Sequence, residues 1–94
     1  MSQRKELQRR LYGCLGKVIM LRRKRLGISQ EDLAKDTGVD RAFISSIENG
    51  KRSPSFGSVQ RIARGLNMRF TRLVDNTERC FENQPDSDGH ARSA

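Results

Sequence analysis

The feature that most constrains how this chain can fold is a pair of short helical segments joined at a glycine. Ser29 and Asp40 each carry a short polar side chain of the kind that caps a helix N-terminus, and apolar residues at helical spacing follow each of them. Gly38 ends the first segment, because glycine readily adopts the left-handed conformation that closes a helix. Two short helices with a tight turn between them are therefore predicted.

Helical spacing continues through the other apolar parts of the sequence, and no alternating run is long enough for a strand. One helical face is predicted from Leu7, Leu11, Leu15, Val18 and Ile19. Gly13 leaves open whether this stretch forms one long helix or two, and Gly27 is placed to cap its end. A fourth helix should follow Ser55, and a fifth should begin near Phe70. The predicted fold class is an all-α bundle of five helices.

The chain has 94 residues, which is enough for one small domain. We predict a basic, helical N-terminal extension at residues 1–14, a folded domain at residues 15–82 and a disordered C-terminal tail at residues 83–94. The tail contains proline, glycine, aspartate and serine without periodic apolar residues. It therefore lacks the apolar surface that would offset the entropy cost of ordering it.

The net charge of +8 predicts a polyanionic partner, either nucleic acid or an anionic membrane face. The basic excess lies in two blocks, residues 1–28 and 41–72, and acidic stretches follow each of them. No apolar run approaches the roughly 20 residues that span a bilayer, and the N-terminus has no apolar segment typical of a secretion signal. We therefore expect a soluble, cytoplasmic protein with no membrane partner.

Residue types that form catalytic and metal sites are sparse in this sequence. Cys14 and Cys80 lie far apart, and without a secretion signal both are expected to be free thiols. His90 has no partner nearby in the sequence, so we expect it neither to bind metal nor to act as a base. Because no nucleophile is matched with a base and no metal-ligand cluster occurs, we expect no enzyme activity, no metal and no cofactor.

The two short helices match the helix-turn-helix pattern, in which the first helix crosses the DNA backbone and the second enters the major groove. Within residues 40–48, the spacing directs Ile44 and Ile47 inward. The side chains left facing outward are Arg41, Ala42, Ser45 and Ser46. Small or polar side chains are what a groove-reading surface needs, so the pattern favours double-stranded DNA as the polyanion.

Three segments of the sequence carry a family resemblance. Ser29–Ala34, Gly38–Val39 and Ile47–Ser55 resemble the XRE family of helix-turn-helix regulators, which includes the lambda-type phage repressors and Cro. The resemblance covers about Leu15–Val74 with no insertion, and it is strongest to small stand-alone regulators such as restriction-modification controllers. It implies a lambda-repressor-like DNA-binding bundle and a sequence-specific transcription regulator.

The resemblance also implies roles for individual residues. Base edges would be contacted by Arg41, Ala42 and Ser46, and phosphates by Gln30, Ser45, Asn49, Lys51 and Arg52. Arg41 suits this role because its guanidinium can donate two hydrogen bonds to guanine, although it could instead pair with Asp40 or Glu48. The family pattern suggests that Glu48 pairs with Arg23. We expect one basic face comprising Arg23, Arg41, Lys51 and Arg52.

A single helix-turn-helix unit reads only a few base pairs, so we expect a homodimer on a palindromic operator, associated with the nucleoid when bound. The predicted dimer interface lies on the fifth helix and comprises Phe70, Leu73, Val74 and Phe81.

Other functions stay open at this point. The chain could be an antitoxin or other interaction protein that autoregulates through its helix-turn-helix and binds a partner protein through residues 1–14 or 75–94. Its charge could also serve non-specific packaging of nucleic acid. The basic extension carries Arg4, Lys5, Arg9 and Arg10. It could be an arm on DNA, an added helix or solvated charge, and we favour the last two.

Overall fold

A computed structural model of the chain describes residues 3–84. Its helices are α1 (Gln3–Leu26), α2 (Gln30–Thr37), α3 (Arg41–Glu48), α4 (Phe56–Gly65) and α5 (Phe70–Asn83). No strand occurs within the described range, and the all-α prediction is confirmed. Most of the predicted tail, from residue 85 onward, lies outside the described residues, as does His90. Of the helices in residues 3–84, none is long and apolar enough to cross a membrane.

α1 is one helix that passes through Gly13 without a break. The predicted boundary at residue 14 lies inside it, so the extension, described from residue 3, lengthens the first helix of the bundle. The predicted apolar face is buried only in its later part. Leu15 and Ile19 belong to the core, whereas Leu7 and Leu11 are exposed.

Local capping explains where α2 begins and ends. The Ser29 hydroxyl accepts the Asp32 N–H at 3.0 Å, and the Asp32 carboxylate accepts the Ser29 N–H at 3.0 Å, which forms a reciprocal capping box. These hydrogen bonds, first the one from the Ser29 backbone, hold the pKa of Asp32 below its ordinary value. Gly38 closes α2 in the left-handed conformation, at φ 74°. Asp40 precedes α3 as predicted, but its side chain makes no capping hydrogen bond.

All five helices contribute to a single core. The fully buried large side chains are Ile19, Leu33, Ile44, Ile47, Ile62, Leu66, Leu73 and Cys14. Leu73 is 0% exposed, so its prediction as a dimer contact is wrong: the side chain is already enclosed within one chain. Helical spacing identified Leu73 as apolar, but it could not distinguish the inward from the outward side of α5.

A disulfide between Cys14 and Cys80 joins α1 to α5. The prediction of two free thiols is therefore wrong. The cysteines are separated by 66 positions in sequence, and only the packing of α5 along α1 brings their Cα atoms to 5.8 Å. That distance is usual for a disulfide, and the bond ties the second half of α5 to the middle of α1.

Candidate nucleic-acid interface

α3 has an inward and an outward face, as its sequence predicts. Its buried residues are Ile44, Ile47 and Glu48. Arg41 and Ala42 in its first turn are exposed, and Ser45 and Ser46 are half-buried. The open end of α3 is therefore the end that the helix-turn-helix pattern places in a DNA groove.

The turn between α2 and α3 is fixed by the hydroxyl of Thr37. This buried hydroxyl donates to the carbonyl of Leu33 at 2.7 Å and accepts the N–H of Val39 at 3.1 Å. Gly38 supplies the left-handed backbone between them. Because both partners are satisfied inside the turn, α2 and α3 are held at a defined angle rather than by a free linker.

A buried ion pair anchors α3 to α1. Arg23 donates to both carboxylate oxygens of Glu48, from Nε at 2.7 Å and from Nη2 at 2.9 Å, and its Nη1 donates to the carbonyl of Ile28 at 3.0 Å. The hydrogen bond to Glu48 raises the pKa of Arg23. The pairing suggested by the family pattern is confirmed. The expectation that Arg23 belongs to an open basic face is wrong, because its guanidinium is enclosed and neutralised by Glu48.

Gln30 links this ion pair to the open end of α3. Its side-chain Nε2 donates to Glu48 at 3.0 Å, and its Oε1 accepts from the Arg41 guanidinium at 3.0 Å. Arg41 thus pairs with Gln30 and not with Asp40 or Glu48. It uses one of its five N–H donors in this contact, so other donors of the same planar group remain for a ligand. The network orients Arg41 from the buried side of the fold.

The end of α3 positions the loop that follows. Asn49 donates from its side chain to the carbonyl of Ser45 at 2.9 Å. Gly50 is left-handed, and the N–H groups of Gly50 and Lys51 donate to Ile47 and Ser46, respectively, at 2.9 Å each. This is the Schellman arrangement of a helix C-terminus. It turns the chain so that Lys51 leaves the helix end as an exposed cation.

Arg52 lies over the ring of Phe43, with its guanidinium carbon 5.5 Å from the ring centroid. Phe43 itself is half-buried and packs against the core. A cation–π contact of this kind holds the guanidinium near α3 without neutralising its charge. The loop cations Lys51 and Arg52 therefore lie beside the same helix as Arg41.

An apolar groove lies between α1, α4 and α5. Leu11, Phe56, Phe70 and Val74 are among its lining residues. Phe56 is 76% exposed and meets Phe70 edge to face, with ring centroids 4.6 Å apart. Exposed aromatic surface of this extent is typical of a protein–protein contact. Of the residues predicted for a dimer interface, the groove contains Phe70 and Val74.

Phe81, also predicted for the dimer interface, is in a different environment. It is half-buried, and the Arg10 guanidinium lies 4.9 Å from its ring centroid. Arg10 also donates from Nε to the side chain of Gln84 at 3.3 Å. The extension thus covers part of the late α5 surface that the sequence alone leaves open.

The geometry agrees with a family match. Residues 19–73 match the model of the helix-turn-helix family, and they include the whole of α2, α3 and α4. The chain belongs to the helix-turn-helix family. The XRE-type resemblance predicted from the sequence is thereby confirmed, and members of this type are DNA-binding transcription regulators.

Several controller proteins are similar to this helix-turn-helix chain. The control protein C.MunI of a Mycoplasma species is 36% identical over 63 residues, which cover 67% of this chain and 85% of that protein. The restriction-modification controller C.AhdI from Aeromonas hydrophila has a TM-score of 0.64 at 29% identity, covering 66% of this chain and 94% of that one. The controller C.Esp1396I, crystallised as a tetramer with its natural 35 base-pair operator, has a TM-score of 0.70 at 30% identity, covering 76% and 93%.

Sequence reasoning missed two features of this helix-turn-helix protein. It did not pair Gln30 with Arg41, because a contact between side chains 11 positions apart depends on the angle between α2 and α3. It also omitted Phe56 from the apolar groove. A signal existed for Phe56, since a phenylalanine directly after the cap Ser55 lies off the inward face formed by Val59 and Ile62.

Proposed function

We propose that this helix-turn-helix protein is a sequence-specific transcription regulator of the restriction-modification controller type, which binds a palindromic operator in double-stranded DNA as a homodimer. The observation that carries the proposal is the open first turn of α3, where Arg41 is exposed and held by Gln30 beside the small side chain of Ala42. Residues 41–48 are the recognition helix. The function needs neither a catalytic step nor a cofactor.

Base readout is assigned to Arg41, Ala42 and Ser46. Arg41 can donate two hydrogen bonds to O6 and N7 of a guanine, a contact worth about 1 to 3 kcal/mol of discrimination. Its link to Gln30 and through Gln30 to Glu48 restricts its orientation before binding, which lowers the entropy cost of the contact. Ala42 offers a methyl group to a thymine methyl, and the Ser46 hydroxyl can donate or accept.

Backbone contacts are assigned to residues around α3. They are Gln30, Ser45, Asn49, Lys51 and Arg52. Gln30 lies in the first turn of α2, where free backbone N–H groups favour a phosphate. Lys51 and Arg52 supply the positive charges at the opposite end of α3. Contacts of this kind set the position of the protein on the duplex, and they carry no direct sequence information.

Dimer formation is assigned to the apolar groove between α1, α4 and α5. Exposed Phe56 and Val74, together with Phe70, offer a surface that a second copy can bury. Two copies would place two recognition helices in major grooves about 34 Å apart, which is one turn of DNA. C.Esp1396I, a structural neighbour, assembles as a tetramer on operator DNA, and this supports an oligomer on DNA here. Such a regulator would act in the cytoplasm, associated with the nucleoid when bound.

Selection of bound duplexes from a random pool, followed by sequencing, tests the proposal directly. We expect a palindrome with a fixed spacing between half-sites. The Arg41→Ala variant should lose preference at one position of each half-site. Lys51→Ala should weaken selected and random duplexes alike and reduce the slope of log affinity against log salt by about 0.9.

The same experiment separates this function from non-specific packaging. A pool that shows no enrichment after several rounds would contradict sequence-specific regulation. Equal effects of Arg41→Ala and Lys51→Ala on selected and random duplexes would do so as well, because both side chains would then contact only the backbone.

A further inference from the structure

The extended first part of α1 forms a second basic surface beside the loop that joins α3 to α4. Lys5, Gln8, Arg9 and Tyr12 succeed one another at intervals of three or four residues or lie next to each other, so they share one face of the helix. With loop residues 50–53 they line a groove of about 230 Å³. This part of α1 lies before residues 19–73, the segment that matches the family.

Two glycines fix the extension against the loop. A Cβ on Gly50 would lie 3.2 Å from the Cα of Gly13, which shows that the loop touches the α1 backbone directly. Side chains at both positions would hold the two segments apart. Because the Schellman turn also sets the conformation at Gly50, the position of Lys51 relative to α1 is defined by backbone contacts and not by flexible side chains.

The groove is strongly positive. Its cations are Lys5 and Arg9 from α1 and Lys51 and Arg52 from the loop, and none of the described residues that line it is acidic. Glu6 pairs with Arg9 at 3.2 Å, but the side chains of this pair are 73% exposed for Arg9 and 49% for Glu6. A surface pair of that kind is worth at most about 1 kcal/mol, so it leaves Arg9 available to a stronger anion.

We propose that this groove is an additional DNA phosphate site, in which Lys5 and Arg9 bind a backbone phosphate next to those held by Lys51 and Arg52. The inference rests on the proposed function and extends its interface beyond the family segment. DNA is favoured over other anions because two of the four cations belong to the loop already assigned to the DNA backbone. A duplex seated on that loop carries further phosphates within a few ångströms along each strand. Gln8 and Tyr12 add uncharged donors to the same groove.

The test measures affinity for a selected operator duplex and for a random duplex over a range of salt concentrations. Lys5→Ala should weaken binding to both by roughly five- to tenfold at 0.1 M salt and reduce the salt slope by about 0.9. Lys5→Ala/Arg9→Ala should reduce the slope further, and the selected sequence should stay the same. Lys17→Ala is the matched control, because Lys17 is an exposed cation of the same helix that does not line the groove.

Each outcome distinguishes this inference from the proposed function. If Lys5→Ala and Lys17→Ala both leave the slope unchanged while Lys51→Ala reduces it, the extension does not contact DNA and the inference fails, although the regulator function stands. If Lys5→Ala alters base preference, the contact is not to phosphate and the inference also fails. If the native chain shows no preference for any selected sequence, the proposed function itself fails. Thermal unfolding of all variants should match the native chain, because Lys5 and Lys17 are exposed.

Discussion

Gly16 of α1 lies directly against the backbone carbonyl of Ile47 at the end of α3. A Cβ at position 16 would overlap that oxygen and would lie 2.8 Å from the carbonyl oxygen of Glu48. The recognition helix therefore rests on the α1 backbone at a point where only glycine fits. Gly13, one helical turn earlier, has open space at the position of a Cβ.

Gly16→Ala should destabilise the fold, because the added methyl meets backbone atoms that cannot rotate away. We expect a loss of about 1 to 3 kcal/mol in the free energy of unfolding, measured by urea denaturation. Gly13→Ala is the matched control, and it should be neutral or stabilising by up to about 1 kcal/mol, since alanine favours the helix interior. Equal losses in both variants would contradict the close contact at Gly16.

Glu48→Ala should cost more than any surface ion pair. It leaves the Arg23 guanidinium enclosed without its carboxylate, and breaking a buried pair in this way costs about 3 to 5 kcal/mol. Asp75→Ala removes an exposed pair with Arg79, so it should cost less than about 1 kcal/mol. Urea denaturation of both variants tests the difference. A Glu48→Ala variant as stable as Asp75→Ala would show that the α1–α3 anchor is dispensable.

The disulfide predicts that the stability of the chain depends on redox conditions. Closing a loop of 66 residues in the unfolded chain should contribute about 2 to 4 kcal/mol, which a reductant should remove. Cys80→Ser should have the stability of the reduced native chain, and the reductant should not change it. Thiol titration in denaturant provides the check: two reactive thiols in unreduced native protein would contradict the bond.

Acid should weaken the start of α2. Because the pKa of Asp32 is lower in the folded chain than in the unfolded chain, the unfolded state binds more protons between the two values. The contribution of Asp32 is therefore present above its ordinary pKa, near 4, and is lost as the pH falls through the lower folded value. Urea midpoints at about pH 7 and about pH 3 should differ more for the native chain than for Asp32→Asn. Identical differences would contradict a role for the capping box.

The apolar groove predicts which substitution separates the two copies of a dimer. Val74→Glu should convert a dimer into monomers at micromolar concentration, because it introduces a charge into the surface that a second copy buries. Leu21→Glu is a control at a similarly exposed apolar position outside this groove, 57% exposed against 45% for Val74. Sedimentation of both variants gives the answer, and a Val74→Glu variant that remains dimeric would place the interface elsewhere.

The sequence by itself determined the helices and the family, because caps and turns act over a few residues. Ser29, Gly38 and Ser55 mark helix ends that the structure reproduces. The spacing of Ile44 and Ile47 likewise gave the inward face of α3 and so its open first turn. Short-range hydrogen bonds and helical periodicity decide these features, and both are visible in a linear chain.

Only the tertiary structure decided which distant residues meet. The Cys14–Cys80 bond, the enclosure of Leu73 and the link between Gln30 and Arg41 all depend on how helices pack across many positions. The same packing withdraws Arg23 from the basic face and adds the groove at Lys5 to it. The sequence shows which residues are charged or apolar, but the angle and distance between helices determine what each of them faces.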